Sequence, residues 1–520
     1  MAKSRSFSIY LLKQGFDKTN AMCAGHGLVD KTGHAKKLPL GTFLFIADNQ
    51  PKEPWWKSYW GITDNLEQVL KSAILFIQVN NRWLALTFGH AYHNLKNESY
   101  EYDFGLRTTL NAIDPDKIRA TDILQPEDAK RERIQSPIAS DLTFFDIDSD
   151  ESILRRLTGS VRSDLQPYFS NATGANNVRV TSNVDAGKIV KLCERLLGLY
   201  KKDDFKKDFP ELQNIVPVKD PSLLSRLDTA LTTALKNKKK ELVLSVPDLL
   251  EHDKEVKFAY SGAHGPRTTY DNVKIDDYRN FLKSRKIESP SIQQLKHHKL
   301  NVKDENDQTV KSYSIYQSLL FECELKGVCY HLCEGNWFKI EKDFVNKVKK
   351  EIDPFFTKNS ILTECNDRLE ADYNNNLAKN NGALICLDTK NISPPKQKQV
   401  EPCDIFTISN NTVNLIHIKI STRSSSLSHL FNQGVNSVEL LRLEEESRKK
   451  LIKLVGEKFE NNIKNGPYIV TFGIITHKPE SNKSNALPIF SRISLRRAIR
   501  SLKLMGIDCE VVLIADKVTR

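Results

Sequence analysis

The sequence predicts a multidomain chain of mixed α+β and α/β class. It divides into a β-rich N-terminal domain (residues 1–150), a middle region of helices and then β-hairpins (151–352), and a C-terminal core (353–520) in the order αβββαβαβ. Three observations predict this. A length of 520 residues exceeds what one hydrophobic core organises and points to about three domains. The hydrophobic period changes along the chain, from alternation before residue 150 to three- and four-residue spacing after it, and then to a regular exchange of the two beyond 353. A composition of 39% hydrophobic and 27% charged residues is that of a soluble globular protein.

In the first domain SFSIYLLK, GTFLFIAD, SAILFIQV, NRWLALTF and DLTFFDID read as strands, because β-branched and aromatic residues alternate with polar ones between turn signals. VNNRW predicts a hairpin, since Asn80 and Asn81 tolerate positive φ. A helix is expected near residues 65–72. His90 and His93 in FGHAYHNL lack acidic companions and read as a packed loop, and Trp55, Trp56 and Trp60 as a local hydrophobic cluster.

The middle region opens with ILRRLTG, DAGKIVKLCERLLGLYKK and PSLLSRLDTALTTALKNKKK, all of helical period. LVLSVPD, VKFAYSG, SIYQSLLFECELKG and VCYHLCEGNWFKI follow as strands, with EGNW a tight hairpin turn. The glycines of SGAHGPRTTY match neither a P-loop nor a dinucleotide fingerprint, so this stretch reads as a flexible loop.

Composition narrows the function classes. No apolar run approaches the ~18 residues of a membrane span, and the N-terminus lacks a signal-peptide pattern, so a cytoplasmic protein is expected. Nine scattered cysteines argue for reduced thiols. Cys323, Cys329, His331 and Cys333 are the nearest approach to a zinc set, but three of them alternate along one strand, which suits a strand face better than a tetrahedral site. A net charge of +12 makes a polyanion a reasonable partner.

In the last third a helix near residues 366–380 precedes ALICLDT, CDIFTI and VNLIHIKIS. The helix LSHLFNQGVNSVELLRL, the strand PYIVTFGIITH, the helix ISLRRAIRSLKLM and the strand DCEVVLIA complete the order. The turn SNN folds the third strand back on the second, bringing Asp404 toward His417 and Lys419, which share one face of their strand. Asp404 offers a hard oxygen to a divalent cation, Lys419 a point charge for a phosphate, and a neutral His417 an imidazole ligand. Gln433 and His429 stand one turn apart on the next helix, and Arg492, Arg496, Arg497, Arg500 and Lys503 form a basic set on the last.

This order and these residues resemble the PD-(D/E)XK nuclease superfamily over residues 353–520. The resemblance implies a restriction-endonuclease-like core, with Glu370, Asp404, His417, Lys419 and Gln433 as the catalytic set and Asp404, His417 and Glu370 as ligands of Mn²⁺ or Mg²⁺. His417 departs from the family, which places Glu or Asp there, and imidazole predicts a preference for Mn²⁺. His429, Arg496, Arg497, Arg500 and Lys503 are the expected nucleic-acid contacts. DNA is the expected substrate, with a homodimer and a trigger or partner protein for residues 1–352 as further expectations. The alternative is a catalytically inactive binding module of the same fold. Through FGLRTTLNAID, YHLCEGNWFKI, RLEADYN, LIHIKIST and SLSHLFNQGVNS the whole chain is similar to a sporadically distributed, uncharacterised bacterial family, which implies defence against phages or plasmids.

Overall fold

The structure is a computed structural model. It describes residues 4–518 except 49–50, 52, 68, 70, 126–129, 146–152, 210–214, 240–241, 248–255, 266–267, 306, 359–360, 395–398 and 421–423. The fold is mixed α/β, and the chain divides into two compact units: Met1–Leu124 with Arg131–Gln213, and Asn214–Arg520 with Gln125–Lys130.

The first unit is a ten-stranded sheet built largely from antiparallel neighbours. Asn80 and Asn81 adopt φ of 46° and 62° and join Lys71–Val79 to Arg82–Phe88 in the expected hairpin. The sheet continues past residue 150. ILRRLTG, expected as helix, is the strand Ile153–Val161, paired with Ile113–Gln125 and Asn171–Gly174. Leu154 and Leu157 mimic a helical spacing, but Leu157, Gly159 and Val161 alternate inward and cross-strand pairing decides the outcome. Two further expectations are corrected. Leu142–Phe145 forms a 3₁₀ turn in place of a strand, with the tail 146–148 outside the described residues. The described residues of 65–72 hold no helix; the local helices are Trp55–Tyr59 and Phe104–Ala112. Trp56 and Trp60 are exposed, so the expected aromatic cluster is a surface feature.

The second unit carries three sheets. A five-stranded sheet orders Ile215–Pro217, Asn336–Ile340, Val328–Cys333, Leu319–Leu325 and Val243–Leu244 side by side, with Glu334 and Gly335 turning the central hairpin at positive φ. A four-stranded sheet orders Thr269–Tyr270, Lys257–Ser261, Lys299–Lys303 and Thr309–Ser314. The third sheet orders Ile385–Cys386, Ile405–Ser409, Thr412–Lys419, Tyr468–Thr476 and Asp508–Ala515. Its first three strands pair antiparallel and its last three parallel.

Helices cover both faces of this third sheet, as its parallel half requires. Glu370–Asn380 packs Tyr373 and Leu377 onto Ile416 and Ile418. Ser424–Leu443 and Ile489–Leu504 cover the opposite face through Leu427, Phe431, Ile493 and Leu502, against Leu415 and Phe472. The helices Glu445–Val455 and Glu460–Asn465 lie between the third and fourth strands, beyond the simple order read from the sequence. The core also takes Cys329, Ile340, Phe344 and Val348 from before residue 353, so the middle sheet and the helix Lys342–Ile352 are packed against it.

Candidate metal centre

Strand direction creates the site. The first strand ends where the second begins, and the second returns through Asn410 and Asn411, at φ of 48° and 63°, into the third. The end of the first strand, the start of the second and the end of the third therefore meet at one edge of the sheet. Asp388 stands just past the first strand, Glu401 and Asp404 just before the second, and Lys419 closes the third. Backbone bonds lock the junction: Leu387 N donates to Asp404 O at 2.8 Å, and Asp404 N to Ile416 O at 3.0 Å. Thr389, beside Asp388, is held at φ 64°, a strained setting for a β-branched residue.

Carboxylate oxygens of Asp388, Glu401 and Asp404 lie within 4.8 Å of one another, and among the described residues this is the one such group of potential metal ligands. Asp404 is only 7% exposed. Burial pushes its carboxyl up to about 7, with repulsion from Glu370, Asp388 and Glu401 adding to the rise and a 2.6 Å hydrogen bond from Ile418 N opposing it. The Glu401 carboxyl is also raised, by burial and by Asp388, against the opposing pull of Lys419 and His429. Crowded, half-desolvated carboxylates of one sign are a poor arrangement for a protein alone and a good one for a small divalent cation with oxygen ligands. The donor set could hold a divalent cation that takes oxygen ligands.

The remaining expected residues divide into two kinds. Glu370 accepts from Lys419 Nζ at 2.7 Å and from Ile420 N at 2.8 Å, so it holds the lysine and the strand end and stands outside the acidic trio. Gln433 donates to Glu401 Oε2 at 3.1 Å and orients that carboxylate. It can reach because its neighbour Gly434 brings the helix close to the sheet; a Cβ there would lie 2.5 Å from Phe472. His417 is placed elsewhere. It is 1% exposed, its Nε2 lies 3.2 Å from Ser437 Oγ, and burial holds its imidazole down at about 3. It is not in the trio, so its imidazole supplies no preference for Mn²⁺ over Mg²⁺ there.

The expected nucleic-acid contacts also separate. Arg496 is 3% exposed and lies over the Phe344 ring, Arg500 pairs with Glu351 at 2.8 Å, and Lys503 lies over Phe355. These three side chains bind the last helix to Lys342–Ile352 and its following turn. Arg497 and His429 are exposed, and His429 is close enough to Glu401 to lower its carboxyl. Reading the sequence alone missed Asp388 and Glu401. The sequence offers only a partial signal: Glu401 precedes Asp404 by three residues in EPCD, and Asp388 follows the strand Ile385–Cys386 by two.

A family model described as "Family of unknown function (DUF6119)" matches residues 7–515. No curated protein matches the chain, and no solved structure matches it.

Proposed function

The chain belongs to the family of unknown function DUF6119, whose description carries no activity, and we propose from the site itself that it is a divalent-metal-dependent nuclease. The architecture proposed for residues 353–520 is the restriction-endonuclease-like core of the PD-(D/E)XK superfamily, and DNA is the proposed substrate. The observation that carries this reading is the convergence of Asp388, Glu401 and Asp404 beside Lys419 at one sheet edge. The antiparallel-then-parallel strand order and the places of Asp404 and Lys419 in it support the reading. A role in defence against phages or plasmids belongs to the same proposal and rests on analogy of family distribution.

In this mechanism Asp388, Glu401 and Asp404 would hold the cation. When bound, a divalent cation at such a site polarises a phosphoryl oxygen and eases deprotonation of a water. Lys419 offsets charge that develops on the phosphate oxygens, and Glu370 fixes its ammonium at 2.7 Å. Gln433 keeps Glu401 turned toward the trio. A second reading, a binding module without chemistry, is favoured by one observation: the Lys419 charge is already paired with Glu370.

The test is cleavage of single- and double-stranded DNA and RNA by the purified chain with Mg²⁺, Mn²⁺ or EDTA. We expect metal-dependent products from the wild type, and a loss of about a hundred-fold or more in Asp404→Asn and in Lys419→Ala. Full cleavage by both variants would remove this site from consideration. Salt-dependent binding without products, in every metal, would select the binding module.

A further inference from the structure

In the first unit the strands Arg5–Leu11, Val178–Ser182, Asn171–Gly174 and Ile153–Val161 lie side by side and pair antiparallel. Alternation gives them two unlike faces. Ile9, Val178 and Leu157 point into the core that holds Phe104–Ala112 and Ile189–Lys201. The opposite face is polar. The register sets Ser8, Arg179, Thr173 and Thr158 in one row straight across the sheet, and Ser6, Thr181, Asn171 and Ser160 in the next. None of these residues is buried. Cross-strand bonds hold the rows in order: Thr158 Oγ1 lies 3.0 Å from Thr173 Oγ1, and Ser160 Oγ donates to Asn171 Oδ1 at 3.2 Å. The face is also positive. Arg179 is exposed, and its guanidinium has neither a hydrogen bond nor an ion pair among the described residues. Arg156, exposed and two residues before Thr158 on the same face, shares the Asp122 carboxylate with Arg133, at 3.4 and 2.7 Å. The strands carrying Arg156 and Arg179 are separated by one other and so lie about 10 Å apart. Both side chains nevertheless converge over one part of the sheet: burial raises the Tyr10 phenol, and Arg156 and Arg179 both oppose that rise.

We propose that this face binds the sugar–phosphate backbone of a single-stranded nucleic acid. Exposed guanidinium groups take phosphate oxygens, and Ser, Thr and Asn side chains donate to phosphate and sugar oxygens without reading a base. Two polar rows with a cation in the first and another beside it give a backbone a track to follow. The width of the face selects a single strand. Four strands span about 15 Å, whereas the major groove of a duplex is about 12 Å wide and admits a ribbon of two. The inference does not rest on the nuclease reading, since the face belongs to the first unit and needs no metal.

The test is fluorescence anisotropy on the full chain in EDTA, where the acidic trio has no cation and repels a polyanion. The probes are short single-stranded oligonucleotides of DNA and of RNA, the DNA sequence as a duplex, and a labelled polyglutamate of similar charge. The expected result is that at least one single strand binds more tightly than the duplex and the polyglutamate. Arg179→Glu should weaken that binding about ten-fold or more, Arg179→Gln should lower its salt slope by about one, and Arg179→Lys should retain most of it. Circular dichroism of each variant separates a lost contact from a lost fold. No binding of either single strand, an affinity and salt slope unchanged by Arg179→Glu and Arg179→Gln, or equal affinity for the duplex or the polyglutamate overturns the proposal. Metal-dependent cleavage is read in a different assay and can fail without altering this result.

Discussion

Two histidines show how far residue identity falls short of residue role. His417 and His331 both lie on strands, and burial holds both imidazoles down at about 3, so each is neutral in the folded chain. His417 has a partner in Ser437, whereas neither ring nitrogen of His331 has a hydrogen-bond partner among the described residues; its ring packs against Phe490 at 4.9 Å. An unpaired buried polar group costs about 1–3 kcal/mol. His331→Leu is therefore expected to raise the melting temperature, and a fall would show that the ring has an unseen partner. The sign of its pH dependence follows from linkage. A histidine depressed to about 3 contributes stability that is present above its unfolded value of 6.5 and is lost as pH falls toward 3. The advantage of His331→Leu over the wild type should then widen on acidification across that window. At the proposed metal centre a proton on Asp404 would compete with a cation, so Mn²⁺ affinity should climb as pH rises through about 7. Replacing His417 by Glu, the acid usual at this place in the superfamily proposed for the core, is expected to unfold rather than activate the protein, because it places a carboxylate where the ring is 1% exposed.

At the scale of elements, the last helix is held at both ends by the middle of the chain. Glu322 accepts from Ile489 N at 2.7 Å at the start of Ile489–Leu504, and Arg500 pairs with Glu351 near its end. A carboxylate at a helix N-terminus satisfies donors that have no intrahelical partner. Burial nevertheless pushes the Glu322 carboxyl up to about 7, with the Ile489 N–H and Arg492 opposing the rise. Its raised value means a contribution to stability present below 4.5 and lost as pH rises through about 7, the opposite sense to His331 across the strand pair. Glu322→Ala should destabilise the second unit by about 1–3 kcal/mol in chemical denaturation; no change would mean that the cap is dispensable. These links explain what the sequence could and could not disclose. The hairpins at Asn80–Asn81, Glu334–Gly335 and Asn410–Asn411 were legible because their turns need residues that accept positive φ. The strand Ile153–Val161 was not, because Leu154 and Leu157 carry a helical spacing while Leu157, Gly159 and Val161 alternate, and only pairing with distant strands selects between them.

For the whole molecule, the sequence disclosed a mixed α/β chain of several sheets, and the structure brings Asp404, Lys419, Glu370 and Gln433 toward one sheet edge. The sequence did not disclose the acidic trio, because Asp388 and Glu401 reach Asp404 only through the pairing of two short strands that are not adjacent in sequence. Nor did it show that Arg496, Arg500 and Lys503 face their own neighbours, since charge on a helix says nothing of what packs against it. The net charge of +12 is thus an imperfect guide to a nucleic-acid surface, and the acidic trio is the sharper object of test. The most direct measurement is a titration of the metal-free full chain with Mn²⁺, read by the loss of free-ion electron paramagnetic resonance signal. Alongside the wild type run Glu401→Gln, Asp404→Asn and His417→Gln, the last of which keeps a polar group for Ser437. Wild type and His417→Gln should bind saturably, and both carboxylate variants should lose binding. Binding that survives Asp404→Asn and Glu401→Gln, or that is lost with His417, would contradict the trio as the metal site.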